Sequence, residues 1–313
     1  MSNMIKNNAK SKACKSIKKN WQLYLFLLVP IVHIIVFDYV PMGGIILAFK
    51  DYSVRKGIWG SDWVGLDNIA RFIQSYQFGR VIKNTVTISL YSIIAGFPMP
   101  ILFALLLNCL RDGKFKKFSQ TVVTMPHFIS TTVMVGIVFQ LLDSRTGLYG
   151  MIFEKLTGAY PANILGSPAA FKHLFVWSGV WQGFGWNSIM YIAALTAVDP
   201  SYHEAAQIDG ATRFQRIRYI DFPTILPTII ICLILRMGDV MSVGFQKTYL
   251  MQNSLNISAS EVISTYQYSV GLASGKSDFS YATAIGLFNS VINLFMITLV
   301  NHIARKVSDT SLW

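Results

Sequence analysis

One feature limits this 313-residue chain more than any other. Six long apolar runs, Trp21–Val40, Thr85–Leu110, Val122–Leu142, Leu174–Val198, Ile225–Phe245 and Tyr281–Ile303, recur along it, each of 20 to 26 residues. A helix needs about 20 apolar residues to cross the hydrocarbon layer of a membrane. The runs predict an all-α membrane protein with six transmembrane helices. Pro41 and Gly43-Gly44 lead from the first run into a second apolar patch, Ile45–Phe49, which reads as an extension of the same crossing.

Composition agrees with a membrane protein: 53% of residues are apolar and 13% charged, against about 25% charged in soluble domains. Net charge is +12, which in a soluble protein would suggest nucleic acid. Here the placement of the charge decides otherwise. Residues 1–20 form a basic tail with Lys6, Lys10, Lys12, Lys15, Lys18 and Lys19 and no acid. Lys and Arg favour the cytoplasmic side, so the tail belongs there. The even-numbered connections then return to that side with Arg111, Lys114, Lys116 and Lys117, then with Arg213, Arg216 and Arg218, and the chain ends there with Arg305 and Lys306. Both termini are predicted to be cytoplasmic, with residues 21–313 forming one permeation domain in the plasma membrane. The opposite loops carry Arg55, Lys56, Arg71, Arg145 and Lys155, so the bias is moderate. The first run is too long for a cleaved signal and ends without a small-x-small site, which makes it an uncleaved anchor.

Three polar stretches, Asp51–Lys83, Asp143–Lys172 and Lys247–Ser280, fall on the outer side. Trp63, Leu66, Ile69 and Ile73 have helical spacing near Asp67 and predict a short interfacial helix. Within the membrane runs, Arg236 and Asp239 are three residues apart and are expected to share a helix face. An ion there is costly against lipid. The pair either lines a translocation pathway, with Arg236 holding a carboxylate, or locks the bundle. Trp186 and Asn187 are further pathway candidates, with stacking and hydrogen bonding to offer. Asn289 and Asn293 fit helix-to-helix bonding better.

The segment from Asp199 to Pro227 carries the sharpest local pattern, DPSYHEAAQIDGATRFQRIRYIDFPTILP. Asp199 is a good N-cap and Pro200 suits the first helical position. Asp209-Gly210 breaks the helix. Ala211, Phe214, Ile217 and Ile220 then give a second helix an apolar stripe, which Pro223 is expected to end before Pro227 opens the next span. Ala205 and Ala206 allow close approach of another backbone, and Glu204 offers one charge. The reading is a rigid cytoplasmic helix, turn and helix between two spans.

With Glu204-Ala205-Ala206, then Asp209-Gly210-Ala211, Ile220, Pro223 and Pro227, the chain resembles the permeases of binding-protein-dependent ABC importers. Trp63-Val64-Gly65-Leu66-Asp67-Asn68 is similar to a stretch of the carbohydrate permeases. Residues Tyr281 to Ser290 are similar to the branch that takes up oligosaccharides, including aldouronates. The resemblance covers essentially the whole chain after the tail. It implies the type I importer permease fold, half of a translocation pathway, and docking of separate ATPases through Glu204–Pro227. It also implies a second permease subunit, two cytoplasmic ATPase subunits and an extracellular solute-binding protein.

The chain is not expected to be an enzyme or to hold a cofactor itself; ATP and Mg belong on the partner ATPases. Gly275-Lys276-Ser277 invites comparison with a phosphate loop, but Gly271 stands one residue too close for GxxxxGK[ST], and the segment falls on the outer side. Cys14, Cys109 and Cys232 have no metal-ligand spacing. No HExxH or GxSxG motif is present. The alternative of a stand-alone channel or secondary transporter would call for an inverted repeat or a chain of membrane carboxylates, and neither stands out.

Overall fold

A computed structural model describes residues 19–307 apart from 112, 274 and 276. The basic tail up to residue 18 lies outside the described residues, as does Lys276. Helices longer than four residues are numbered in chain order: α1 (Trp21–Phe49), α2 (Asp67–Gln74), α3 (Phe78–Asn108), α4 (Lys114–Phe128), α5 (Thr131–Leu142), α6 (Leu148–Thr157), α7 (Pro168–Leu195), α8 (Pro200–Ile208), α9 (Arg213–Gly238), α10 (Phe245–Met251), α11 (Ile263–Tyr268) and α12 (Phe279–Val307). A two-residue antiparallel ladder pairs β1 (Lys50–Asp51) with β2 (Asp62–Trp63), with Lys50 opposite Trp63.

Among the described residues, α1, α3, α9 and α12 are each long and apolar enough to cross a membrane. The first run does extend through Phe49 as one helix. The remaining two predicted crossings differ from expectation. Val122–Leu142 is not a straight helix, because α4 and α5 meet at 98°. Pro126 lies in a tight 3-10 turn at the end of α4, and Ser130 starts α5 anew by accepting from the Val133 amide at 3.3 Å. The carbonyl of Ile129 at the corner accepts from Gln182 Nε2 at 2.8 Å. The fourth run lies within α7, which has the length to cross but interleaves Gly, Ser, Gln and Asn with its apolar residues. It sits among α3, α4 and α9, where such residues meet protein instead of lipid.

Two π-turns solve one problem. Ile35–Tyr39 precedes Pro41, and Ile217–Asp221 precedes Pro223. A proline has no N–H to donate, and its ring clashes with the carbonyl four residues back. In each case the residue just before the proline bonds the carbonyl five back, Val40 N–H to Ile35 O and Phe222 N–H to Ile217 O, and this wider turn carries the helix into the proline. The expectation that Pro223 stops the second loop helix is therefore corrected. The helix runs unbroken from Arg213 to Gly238 and absorbs both Pro223 and Pro227.

Three apolar clusters hold the bundle. One joins Ile88, Met134, Phe175, Val176 and Val262. A second joins Phe72, Val81, Ile263, Tyr281 and Ile285. The third, Ile101, Ala104, Leu105, Tyr191, Leu195 and Ile225, lies where α3, α7 and α9 approach the α8 loop. The predicted interfacial helix exists as α2, but it buries Asn68 and Phe72, not the expected stripe; Leu66 and Ile73 are exposed. Asn68 Nδ2 donates to the carbonyls of Ala48 and Lys50, which turns α2 toward the end of α1.

Candidate functional site

The loop from Asp199 to Thr212 is fixed by its own chemistry. Asp199 Oδ1 accepts from the Ser201 amide at 2.9 Å, and Pro200 occupies the first turn. The same bond holds the Asp199 carboxyl below its ordinary pKa range. At the far end Gly210 has φ +76°. Its N–H reaches Gln207 O at 3.1 Å, and Ala211 N–H reaches Ala206 O at 2.8 Å. Together they make a Schellman closure, which favours glycine at the left-handed position. Thr212 and Gln215 then exchange bonds, amide to hydroxyl at 3.3 Å and amide to side-chain carbonyl at 2.7 Å, as a capping box for α9. The T-x-x-Q pattern was present in the sequence and could have located this helix start.

Glu204, Ala205, Asp209, Gly210, Phe214 and Pro223 are exposed, while Ala206 and Ala211 are half-buried. Tyr202, Ile208 and Tyr219 add to the exposed surface, with Ile208 at 87% and Phe214 at 70%. Apolar side chains gathered on a polar loop mark a contact surface. The inner side of α8 carries His203, whose Nε2 stands 3.2 Å from Oδ1 of Asp221.

A second feature lies deeper. A cavity of about 380 Å³ opens between α3, α7 and α9. Trp186, Asn187 and Arg236, three of the four predicted pathway residues, line it. His127, at the α4–α5 corner, stacks on Trp186 with ring centroids 4.4 Å apart.

The fourth residue, Asp239, is not on this cavity. It faces a cleft of about 30 Å³ with Arg236, Ser89 and Ser92. The expected shared helix face does not form, because α9 ends at Gly238 and Asp239 is its cap residue. Gly238 packs against Ile297, where a Cβ would stand 2.9 Å from the Ile297 side chain. Among the described residues Arg236 and Asp239 form no ion pair. Asn293 holds this non-helical stretch, accepting from the Met241 amide at 3.0 Å and donating to Ser242 Oγ at 3.1 Å. Asn289 has its Oδ1 buried without a partner among the described residues.

Sequence reasoning missed Lys247. On α10, outside the spanning helices, it reaches the same cavity. Its Nζ donates to Phe175 O at 2.5 Å and lies 4.4 Å from that ring. Burial pulls its pKa down to about 7. A Cβ on Gly179 would stand 2.9 Å from Nζ, so the glycine makes room for it. The segment around it is not a loose outer loop, since Thr248, Met251, Asn256, Ser260 and Ile263 are buried. Asn256 organises it by donating to Leu165 O and Met251 O and accepting from Ser260 Oγ. A single Lys between Phe245 and Tyr249 after an apolar run was the only available signal.

Comparison with known proteins fits this arrangement. Residues 96–309 match the profile of the family described as binding-protein-dependent transport system inner membrane component. Protein LplB of Bacillus subtilis is 39% identical over 95% of this chain and 93% of its own length. The polygalacturonan/rhamnogalacturonan transport system permease protein YteP of the same organism is also 39% identical, over 93% of this chain and 90% of its own. The crystal structure of a bacterial ABC transporter involved in the import of the acidic polysaccharide alginate contains a chain 37% identical to this one. It superposes with a TM-score of 0.85 over 95% of this chain and 99% of that one.

Proposed function

Because the chain belongs to the family of binding-protein-dependent transport system inner membrane components, we propose that it forms one half of the pathway of an oligosaccharide importer and docks its ATPase through the loop from Glu204 to Pro227. It is a multi-pass membrane permease with the type I importer fold, not an enzyme. On this proposal the chain crosses six times, with α4 and α5 as one broken crossing and α7 as another, and both termini are cytoplasmic. The partners are a second permease, two ATPase subunits that bind ATP and Mg, and an extracellular solute-binding protein.

The observation that carries the docking role is the doubly capped, exposed α8. A short helix fixed at both ends can transmit a rigid-body push, and Ala205 leaves room for a partner's backbone. Glu204, Ala205, Ala206, Asp209, Gly210, Ala211 and Phe214 form this contact, and Pro223 anchors it to α9. Replacing Ala205 with arginine puts bulk and charge on the contact face without disturbing any cap. The ATPase subunits are expected to drop out of the detergent-purified complex while the permease still inserts. Undiminished co-purification would overturn the docking role. A native chain that purifies alone and transports would favour the stand-alone transporter instead.

The cavity supports a pathway for a glycan that carries carboxylates. Arg236 supplies a cation, Lys247 an amine that donates hydrogen bonds, Asn187 a hydrogen-bonding group and Trp186 an aromatic face. The names of the relatives above, polygalacturonan and alginate among them, point the same way. Arg236→Gln keeps hydrogen bonding but removes the charge. Uptake of a uronic trisaccharide in proteoliposomes is expected to fall about tenfold, the usual size of a charge-assisted bond. A neutral trisaccharide is expected to be affected less. Equal losses for both would remove the argument for a carboxylate clamp.

A further inference from the structure

Asp221 is 2% exposed, at the cytoplasm-directed end of the bundle on the reading above. It lies on α9, in the π-turn ahead of Pro223. One oxygen, Oδ1, receives two groups from two other elements: Asn108 Nδ2 at 3.1 Å, from the last residue of α3, and His203 Nε2 at 3.2 Å, from α8. Either the neutral Nε2–H tautomer or the imidazolium of His203 can donate this bond. Just beyond lies Ile225, fully buried against Ile101, Leu105, Tyr191 and Leu195.

A buried carboxylate is a poor way to gain stability. Removing such a group from water is costly, and apolar packing of the same volume usually does as well or better. What it provides is directional attachment. The chain joins α8 to the spans only through 196–199 and 209–212. A side-chain link from the middle of α8 adds a third point of attachment between those two connectors. Energetic coupling between separate sites can be carried by chains of packed or bonded groups.

We propose that His203, Asp221 and Asn108 are positioning residues that latch the docking helix α8 to α3 and α9, so that movement of α8 is passed to the walls of the translocation cavity. The latch rests on the docking role proposed for α8. It assigns a different task to the inner side of that helix: the outer side binds the ATPase and the inner side transmits. Asp221 sits on α9 where the end of α3 and the helix α8 both reach it. Near it a cleft of about 770 Å³ is lined by Arg111, Lys116, Arg213 and Arg216 as well as by His203 and Glu204. The Nε of Arg216 is buried and without a partner among the described residues. Asp221 lines the same cleft.

The test uses the complete importer, with its ATPase subunits and binding protein, reconstituted in proteoliposomes. For His203→Ala the ATPase subunits are expected to co-purify as in the parent. Stimulation of ATP hydrolysis by the loaded binding protein is expected to fall about tenfold, within the range of ordinary coupling energies. His203→Gln, which still presents a donor to Asp221, is expected to restore most of the stimulation. A merely structural role would lower assembly and basal hydrolysis together and would not be repaired by glutamine.

Asn108→Ala cuts the latch from the α3 side without touching the loop, and the same loss of stimulation with intact assembly is expected. It also serves if His203→Ala fails to assemble. Parental stimulation in both alanine variants, or failure of His203→Gln to recover it, would overturn the latch. Failure of the docking role reads differently, as undiminished ATPase association in the Ala205→Arg variant.

Discussion

Gly185→Val is expected to yield a chain that inserts into the membrane but does not assemble into a monodisperse bundle. A Cβ at this position would lie 2.1 Å from the carbonyl oxygen of Val123 and 2.5 Å from its carbon. These are backbone atoms of α4, so no side-chain rotation relieves the contact, and the two helices must separate. Overpacking a core usually costs about 1 to 3 kcal/mol when side chains can adjust, and here they cannot. Separation would also strain the bond from Gln182 to the Ile129 carbonyl at the α4–α5 corner. The measurement is gel filtration in detergent, with Gly136→Ala as the control. Gly136 lies in α5 with nothing within 4 Å of the added carbon. The control is expected to be as stable as the parent or slightly more so, by about 0.5 to 1 kcal/mol from helix propensity. A monodisperse Gly185→Val protein of parental thermal stability would show that α4 and α7 do not approach this closely.

The second large effect is expected at Gly210. Gly210→Val should insert and purify normally yet lose uptake and binding-protein-stimulated ATP hydrolysis. The added side chain meets nothing within 4 Å, so crowding is not the cause. The cause is the backbone. At φ +76° a residue with a Cβ is disfavoured by about 1 to 2 kcal/mol, and a β-branched one is a steric outlier. Relief comes from opening the turn, which breaks the Gln207 and Ala206 carbonyl bonds that close α8. Docking then depends on a helix whose end is no longer fixed. Gly210→Ala carries the smaller strain of an unbranched side chain and should give an intermediate rate. Normal transport by the valine variant would count against the docking role of the loop.

The loop was legible because everything that shapes it is local. Asp199-Pro200 starts α8 and Asp209-Gly210 ends it, all within a dozen residues. The exception was Pro223. A proline seen alone predicts a stop, and only the π-turn at Ile217–Asp221 shows how the helix continues past it. Spans were legible where lipid selects their composition, as in α1, α3, α9 and α12. They were less so in α7, where neighbours replace lipid, and at the α4–α5 corner. There the carbonyl of Ile129 finds its donor in Gln182, more than fifty residues away. Lys247 was hidden for the same reason. Its cavity is assembled from α3, α7 and α9, and no local pattern reports that a residue on α10 enters it. The α2 stripe failed because Asn68 hydrogen bonds to the end of α1 and turns the helix, an effect that apolar spacing does not register.

The first helix has a bearing on biosynthesis. None of the side chains of its Trp21–Ile34 part is buried by the rest of the chain. In chain order it precedes the other long apolar helices described, and its membrane partition follows from its own apolar surface. It can therefore enter the bilayer and set the orientation of the growing chain with no later contact to wait for. This part of the helix offers its whole circumference to lipid or a neighbouring subunit, while its far end is fixed to the rest of the chain through buried Ala48 and the bond from Asn68.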